Sequence, residues 1–199
     1  LTGSVSDTVD AFAGTVTTNT GTITFNDDAE VDITATDITT INNAISGAIT
    51  VSNAVDINGS GSEVKAAFDV IDNNTGNATA AITGNDYTVA QLKAINNATT
   101  GAIVLGTPNV NFTDSSSNLA AAFDGTINSS GTLTVNNNNY TVAELKKINT
   151  GTSGDIVLNT TNVALSGTVA DIVAAFAGTV TTHVGTLEIT DANTTDIQA

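Results

Sequence analysis

Thr141-Val142-Ala143-Glu144-Leu145-Lys146-Lys147-Ile148-Asn149 and, 27 residues later, Thr168-Val169-Ala170-Asp171-Ile172-Val173-Ala174-Ala175-Phe176 decide how this chain folds. Each stretch opens on a hydroxyl and places an acid three positions on, at Glu144 and Asp171. That is capping-box spacing: the hydroxyl accepts a hydrogen bond from the N3 backbone N–H, and the N3 side chain reaches back to the cap. Both stretches recur. The Phe-ending type reads Thr8-Val9-Asp10-Ala11-Phe12, Val64-Lys65-Ala66-Ala67-Phe68, Leu119-Ala120-Ala121-Ala122-Phe123 and Ile172-Val173-Ala174-Ala175-Phe176, with Phe intervals of 56, 55 and 53. The second type reads Asp37-Ile38-Thr39-Thr40-Ile41-Asn42, Gln91-Leu92-Lys93-Ala94-Ile95-Asn96 and Glu144-Leu145-Lys146-Lys147-Ile148-Asn149, with Ile intervals of 54 and 53. A fourth second-type copy begins at Asp196-Ile197.

The helix-start rule holds throughout. In the first type Ser4, Ser60, Ser115 and Thr168 precede Asp7, Glu63, Asn118 and Asp171 by three. In the second, Thr34, Thr88, Thr141 and Asn193 precede Asp37, Gln91, Glu144 and Asp196 by three. Ile33, Tyr87 and Tyr140 sit before the cap, with Ile38, Leu92 and Leu145 at N4, the spacing of a hydrophobic staple. Gly14, Gly125 and Gly178 stop the first type early, so the helices are short.

Strands are expected between them. Gly21-Thr22-Ile23-Thr24-Phe25, Gly131-Thr132-Leu133-Thr134-Val135 and Gly185-Thr186-Leu187-Glu188-Ile189 alternate with the two-residue period of a half-buried strand. Gly47-Ala48-Ile49-Thr50-Val51, Gly101-Ala102-Ile103-Val104-Leu105 and Gly154-Asp155-Ile156-Val157-Leu158 match them half a repeat later. Shorter strands are expected at Val55-Asp56-Ile57, Val110-Asn111-Phe112 and Val163-Ala164-Leu165. Others are expected at Thr15-Val16-Thr17, Thr126-Ile127-Asn128 and Thr179-Val180-Thr181. The expected fold is an α/β repeat protein: a solenoid of short parallel strands with short capped helices, its repeat about 54 residues in two related halves. The alternative pairs neighbouring strands as hairpins, giving stacked α+β units. Repeat boundaries fall at 1–51 (incomplete at its N-terminal side), 52–105, 106–158 and 159–199 (truncated at its C-terminal side). A chain that starts and stops inside repeats, with no capping repeat, is expected to continue in both directions.

Composition narrows the chemistry. The 199 residues carry 4 Lys plus Arg against 20 Asp plus Glu, a formal net charge of -16, and contain no Cys, Met or Trp. Absence of Cys removes disulfides and thiolate sites. The acidic balance argues against nucleic acid and anionic membrane as partners, and no apolar run approaches a membrane span. The lone His183 has Asn19 and Ser129 as counterparts in sister copies, which reads as a surface-loop residue and not a general base. No nucleophile elbow, P-loop or dinucleotide fingerprint is present, so no enzyme and no catalytic, cofactor or metal residue is expected. Asx-rich turns at Asn26-Asp27-Asp28, Asn85-Asp86, Asn136-Asn137-Asn138-Asn139 and Asp191-Ala192-Asn193 could supply oxygens to Ca²⁺. They read more simply as turn chemistry, which leaves weak Ca²⁺ binding open and no cofactor required. Asp7, Asp37, Glu63, Glu144, Asp171 and Asp196 occupy N3, where negative charge favours the helix dipole.

The unit Ala174-Ala175-Phe176-Ala177-Gly178-Thr179-Val180, alternating with Leu-x-x-Ile-Asn-x-x-x-x-Gly, resembles tandem repeats of very large secreted bacterial cell-surface proteins, notably those of marine cyanobacteria. The resemblance covers essentially the whole chain and implies an extracellular location and a role in surface layers, adhesion or motility-associated coats. It carries over no functional residue. The expected function is a structural or adhesive repeat segment of a large extracellular protein, a rod, lattice or filament element whose partners are neighbouring repeats or other copies of itself. The alternatives are a Ca²⁺- or glycan-binding adhesin module and a phage- or pilus-like fibre component. No glycan is identified, and Tyr87 and Tyr140 at staple positions are expected to be buried, which counts against a glycan site.

Overall fold

A computed structural model describes residues 1–14, 16 and 19–191. The chain divides into two compact units, Leu1–Thr107 and a second beginning at Pro108. The first unit runs β1 (Thr2–Gly3), α1 (Val5–Phe12), β2 (Ile23–Phe25), β3 (Asp32–Thr34), α2 (Ala35–Ala44), β4 (Ile49–Val51), β5 (Asp56–Gly59), α3 (Gly61–Val70), β6 (Asn73–Asn74), β7 (Thr79–Ile82), α4 (Val89–Ala98) and β8 (Ile103–Leu105). The second runs β9 (Phe112–Asp114), α5 (Ser116–Phe123), β10 (Leu133–Val135), α6 (Val142–Gly151), β11 (Ile156–Leu158), β12 (Leu165–Gly167), α7 (Val169–Ala175) and β13 (Leu187–Ile189).

Every strand pair among the described residues is parallel. The first unit holds two sheets, in the orders β1-β2-β4-β6 and β3-β5-β7-β8. The second holds β11-β10-β9 and β12-β13. Parallel neighbours need a crossover between them, and here the capped helix supplies it. Partners lie 21 to 26 positions apart, as in Phe112 with Leu133 and Ile23 with Ile49. The order β1-β2-β4 recurs as β5-β7-β8 and as β9-β10-β11, and its first two members recur as β12-β13. Among the described residues, neighbouring strands form no hairpins: Leu187 pairs with Leu165, and Val180 meets Ile156. The chain is thus α/β, with parallel sheets and strand–helix alternation.

Caps explain where the helices begin. Ser4, Ser60, Ser115 and Thr168 accept from the N3 amides of α1, α3, α5 and α7, and Thr88 and Thr141 do the same for α4 and α6. Among the described helices, the reciprocal half of the box closes only where N3 is Glu63, Gln91 or Glu144. Asp7, Asn118 and Asp171 are one methylene shorter and do not return the bond. Thr34 departs from expectation: it stands at the N-cap of α2, but its side chain makes no cap hydrogen bond. Its ψ of 126° differs from the 161° of Thr88 and Thr141, so its hydroxyl is aimed differently. The fourth second-type start at Asn193 and Asp196 lies outside the described residues, as do Thr15 and Thr17.

Several strands move or appear. β9 and β12 begin at Phe112 and Leu165, two residues later than Val110 and Val163. Gly131 and Gly185 account for the shift: a Cβ on either would collide with the Val110 or Val163 carbonyl, so backbone passes backbone there before pairing starts. Thr126–Asn128 and Thr179–Thr181 form no strand and contribute one bridge residue each, Ile127 and Val180. The Leu158 amide donates to the Thr181 hydroxyl at 3.2 Å, so a side chain takes the place of the next backbone acceptor. β1, β3, β6 and β7 are not expected from sequence.

Helices pack in sequence order, α1 to α4 in the first unit and α5 to α7 in the second. Strands bury alternate residues against them: Ile23, Phe25, Ile49 and Val51 in one sheet, Leu133, Val135, Ile156 and Leu158 in another. The helices contribute Ile38, Ile41, Leu92 and Ile95 in the first unit, and Leu119, Phe123, Leu145 and Ile148 in the second. Removing such side chains from water contributes about 1.5–3 kcal/mol each, before conformational entropy is charged against it. Phe68 and Phe123 are buried; Phe12 and Phe176 are half-buried.

Candidate functional surface

The Asx turns point their oxygens at helices. The Val5 amide donates to Asp27 Oδ2 at 2.9 Å, the Ser116 amide to Asn137 Oδ1 at 2.8 Å, and the Val169 amide to Asp191 Oδ1 at 2.9 Å. Each donor is the first residue of a first-type helix, and each acceptor lies 21 or 22 residues ahead, beyond the next strand. The cap hydroxyl satisfies N3 and the distant Asx satisfies N1, so two of the four orphan amides at each helix start are paired. A carboxylate there also meets the positive end of the helix dipole. In the second copy Gly84, at φ +77°, stands in that place and offers no side chain. The oxygens that sequence offers to Ca²⁺ thus already have partners at three corners. Among the described residues, no group of three or more His, Cys, Asp or Glu lies close enough to hold a metal ion.

Both tyrosines are buried at their staple positions. The Tyr87 hydroxyl donates to the Thr107 carbonyl at 2.6 Å, and Tyr140 to the Thr160 carbonyl at 2.7 Å. Each bond reaches 20 residues ahead, and burial pushes both phenol pKa values up. Neither ring is presented for stacking on a sugar. His183 is not the exposed loop residue that sequence suggests. It is half-buried, with its ring edge-on to Tyr140 (centroids 6.3 Å apart) and tilted against Phe176 (5.6 Å). Its Nε2 lies 2.9 Å from the Val163 carbonyl, so that nitrogen carries the proton. Its sister Ser129 is buried, with an Oγ that has no hydrogen-bond partner.

An open groove of about 470 Å³ runs along α6 in the second unit. Val142, Ala143 and Gly167 supply apolar wall, and Lys146 and Lys147 line it beside Asp124 and Asp171. Lys146 pairs with Asp171 of α7 at 2.7 Å, and Lys147 with Asp124 beyond α5 at 2.6 Å. Two ammonium groups answer two carboxylates, which leaves no surplus charge to draw an anion. The Lys146 hydrogen bond, with help from the Thr168 hydroxyl, holds Asp171 below the usual carboxylate range. Glu63 is likewise lowered, by the Ser60 amide first and then the Ser60 hydroxyl. The side chains of the two Lys–Asp pairs are about half exposed, so solvent screens them strongly. Their geometry ties α6 to the helices on both sides.

Among the described residues, no helix is long and apolar enough to cross a membrane. Comparison with protein-family models, curated proteins and solved structures gave no match.

Proposed function

We propose that this chain is a structural or adhesive repeat segment of a large extracellular surface protein, a solenoid whose stacked coils form an elongated rod or lattice element. The observation that carries this reading is the recurrence of one parallel pairing order in register. Ile57, Ala80 and Ile103 stand side by side, as do Phe112, Leu133 and Ile156, and Leu165 with Leu187. No single coil of one short helix and two short strands can bury its own apolar face. Neighbours of like sequence bury it for one another, and stability then grows by nearest-neighbour terms. Partners are accordingly neighbouring repeats or further copies, and the side chains that recur are spent on caps, staples and strand contacts. The secreted location rests on the resemblance of the repeats to those of giant bacterial surface proteins.

Small-angle scattering on the monomeric chain tests the reading. A compact globule of this length has a radius of gyration of about 16 Å. A clearly larger value with a rod-like cross-section supports a stacked element; a value at the globular figure with an isotropic profile overturns it.

A further inference from the structure

The groove along α6 is distinguished by its charge balance as much as by its shape. Its volume, about 470 Å³, lies in the range of small-molecule sites. The chain that carries it has a net charge of -16, a field that repels anions. Inside the groove the charges balance, Lys146 against Asp171 and Lys147 against Asp124. An anion finds no uncommitted ammonium there, and each carboxylate already holds its cation. What the pairs leave over is hydrogen bonding. An ammonium has three donors and a carboxylate about four acceptor positions. Lys146 gives one donor to Asp171 Oδ1, and Lys147 gives one to Asp124 Oδ2. All four side chains are about half exposed, so their remaining positions are open to a ligand. The exposed Ser166 hydroxyl on the groove wall adds a donor and an acceptor. Val142 and Gly167 meet closely beside them: a Cβ on Gly167 would come within 3.2 Å of Val142 Cγ1. With the exposed Ala143 they form a narrow apolar strip. The arrangement is particular to this copy. α2 has Thr39 and Thr40 where α6 has Lys146 and Lys147, and both Thr hydroxyls turn back onto the Thr36 carbonyl.

We infer that the α6 groove of the second unit binds a neutral saccharide, held by the Lys146–Asp171 and Lys147–Asp124 pairs. A sugar suits such a surface because each hydroxyl both donates and accepts, its ring C–H groups can lie on an apolar strip, and it brings no charge. The ammonium groups donate to ring hydroxyls, the carboxylates accept from them, and neither ion pair has to be broken. Tyr87 and Tyr140 take no part, and no aromatic ring lines the groove, so binding is weak, about millimolar. The inference goes beyond the stacked-repeat reading and does not depend on it, because the groove lies within one compact unit.

Amide-resolved NMR on the full chain tests it, with maltose, cellobiose and lactose as separate probes up to about 50 mM. At least one of the three should shift the amides of Val142–Thr150 and Ser166–Gly167 saturably, with a Kd of about 1–10 mM. Lys146→Met keeps the stem, removes the donors and should weaken that binding about tenfold. Asp124→Asn, which breaks the other pair, carries the same expectation should the first variant fail to fold. Lys65→Met removes the ammonium of a like pair on α3 in the first unit and should leave binding unchanged. No saturable shift at the groove amides with any of the three probes overturns the inference, as does undiminished binding by a folded Lys146→Met or Asp124→Asn chain. Saturable shifts confined to another surface overturn it too. Tighter binding of glucuronate or of glucosamine hydrochloride than of the neutral probes would show selection by charge and overturn the ligand class. A globule by scattering leaves this inference standing, and an empty groove leaves the rod standing, so the two proposals fail separately.

Discussion

Thr34 and Thr141 hold the same position in the first and third second-type copies, and both are exposed, yet only one acts as a cap. Thr141 Oγ1 accepts from the Glu144 amide at 3.2 Å, while Glu144 Oε2 accepts from the Thr141 amide at 2.9 Å. Thr34 makes no such bond. Because neither side chain is buried, substitution by Ala removes little packing, and the difference between the two variants isolates the cap. Thr141→Ala should cost about 1 kcal/mol, within the roughly 0.5–2 kcal/mol seen for hydroxyl caps. That is about 4–8 °C for a domain of this size. Thr34→Ala should stay within about 0.5 kcal/mol, the scatter of ordinary surface changes. Urea unfolding reads both through the midpoint, provided the slope is unchanged. Glu144→Asp sharpens the argument, because one methylene less should break the return bond while the Thr141 hydroxyl keeps its own. Equal losses for the two Thr variants would refute the reasoning, since the hydroxyl bond would then not be what separates them.

Four further outcomes follow from the geometry. Leu133→Ala should cost about 2–5 kcal/mol as a buried cavity mutation, while Leu187→Ala, nearly half exposed, should cost about 1 kcal/mol or less; parallel urea melts compare them, and equal costs would contradict the difference in cover. Gly154→Ala drives a Cβ into the Gly131 carbonyl and should strip amide protection from β10 and β11, read by hydrogen exchange, whereas Gly14→Ala, with open space around it, should leave its unit's melting temperature nearly unchanged. The lowered pKa of Asp171 means that the unfolded chain takes up this proton first, so the Lys146–Asp171 tie is fully present above about pH 4 and is lost as pH falls through the lower folded value. Lys146→Gln should remove that share of the acid sensitivity in a pH series of melts, and an unaltered series would count against the tie. With the Asp27 and Asp191 oxygens on helix amides, chelation should leave the melting temperature unchanged, and a fall of several degrees would restore calcium as a structural ligand.

Helix starts were legible because their chemistry is local. Ser60 and Glu63, or Thr88 and Gln91, lie within one turn, and the bond depends on little else. The failure at Thr34 arises from a backbone angle that no residue type announces. Strands opening on glycine were legible where large side chains alternate, as in Leu133-Thr134-Val135. β7 escaped because Thr79-Ala80-Ala81-Ile82 puts Ala80 where its sisters have Ile23 and Leu133, although it is buried and paired like them. The role of the Asx turns was hidden for a different reason: the amide each one caps belongs to a helix 21 or 22 residues earlier. A signal was present nonetheless, since Asp27, Asn137 and Asp191 each stand two residues past the end of the Phe25, Val135 or Ile189 strand. His183 was misread because its sisters Asn19 and Ser129 share no aromatic character; its place beside Tyr140 and Phe176 depends on folding.

A partner separation of 21 to 26 residues, in a chain of 199, has a kinetic consequence. Every sheet contact closes a loop of nearly the same modest length, so no pairing must wait for distant parts of the polypeptide to meet. Parallel sheets are ordinarily slow to assemble because long crossovers must be closed before the ladder rewards them. Here the toll is small and uniform, and assembly can nucleate at any α–β corner and spread to either side. Such a chain can become ordered from its leading end while the remainder is still being synthesised or passed through a narrow channel.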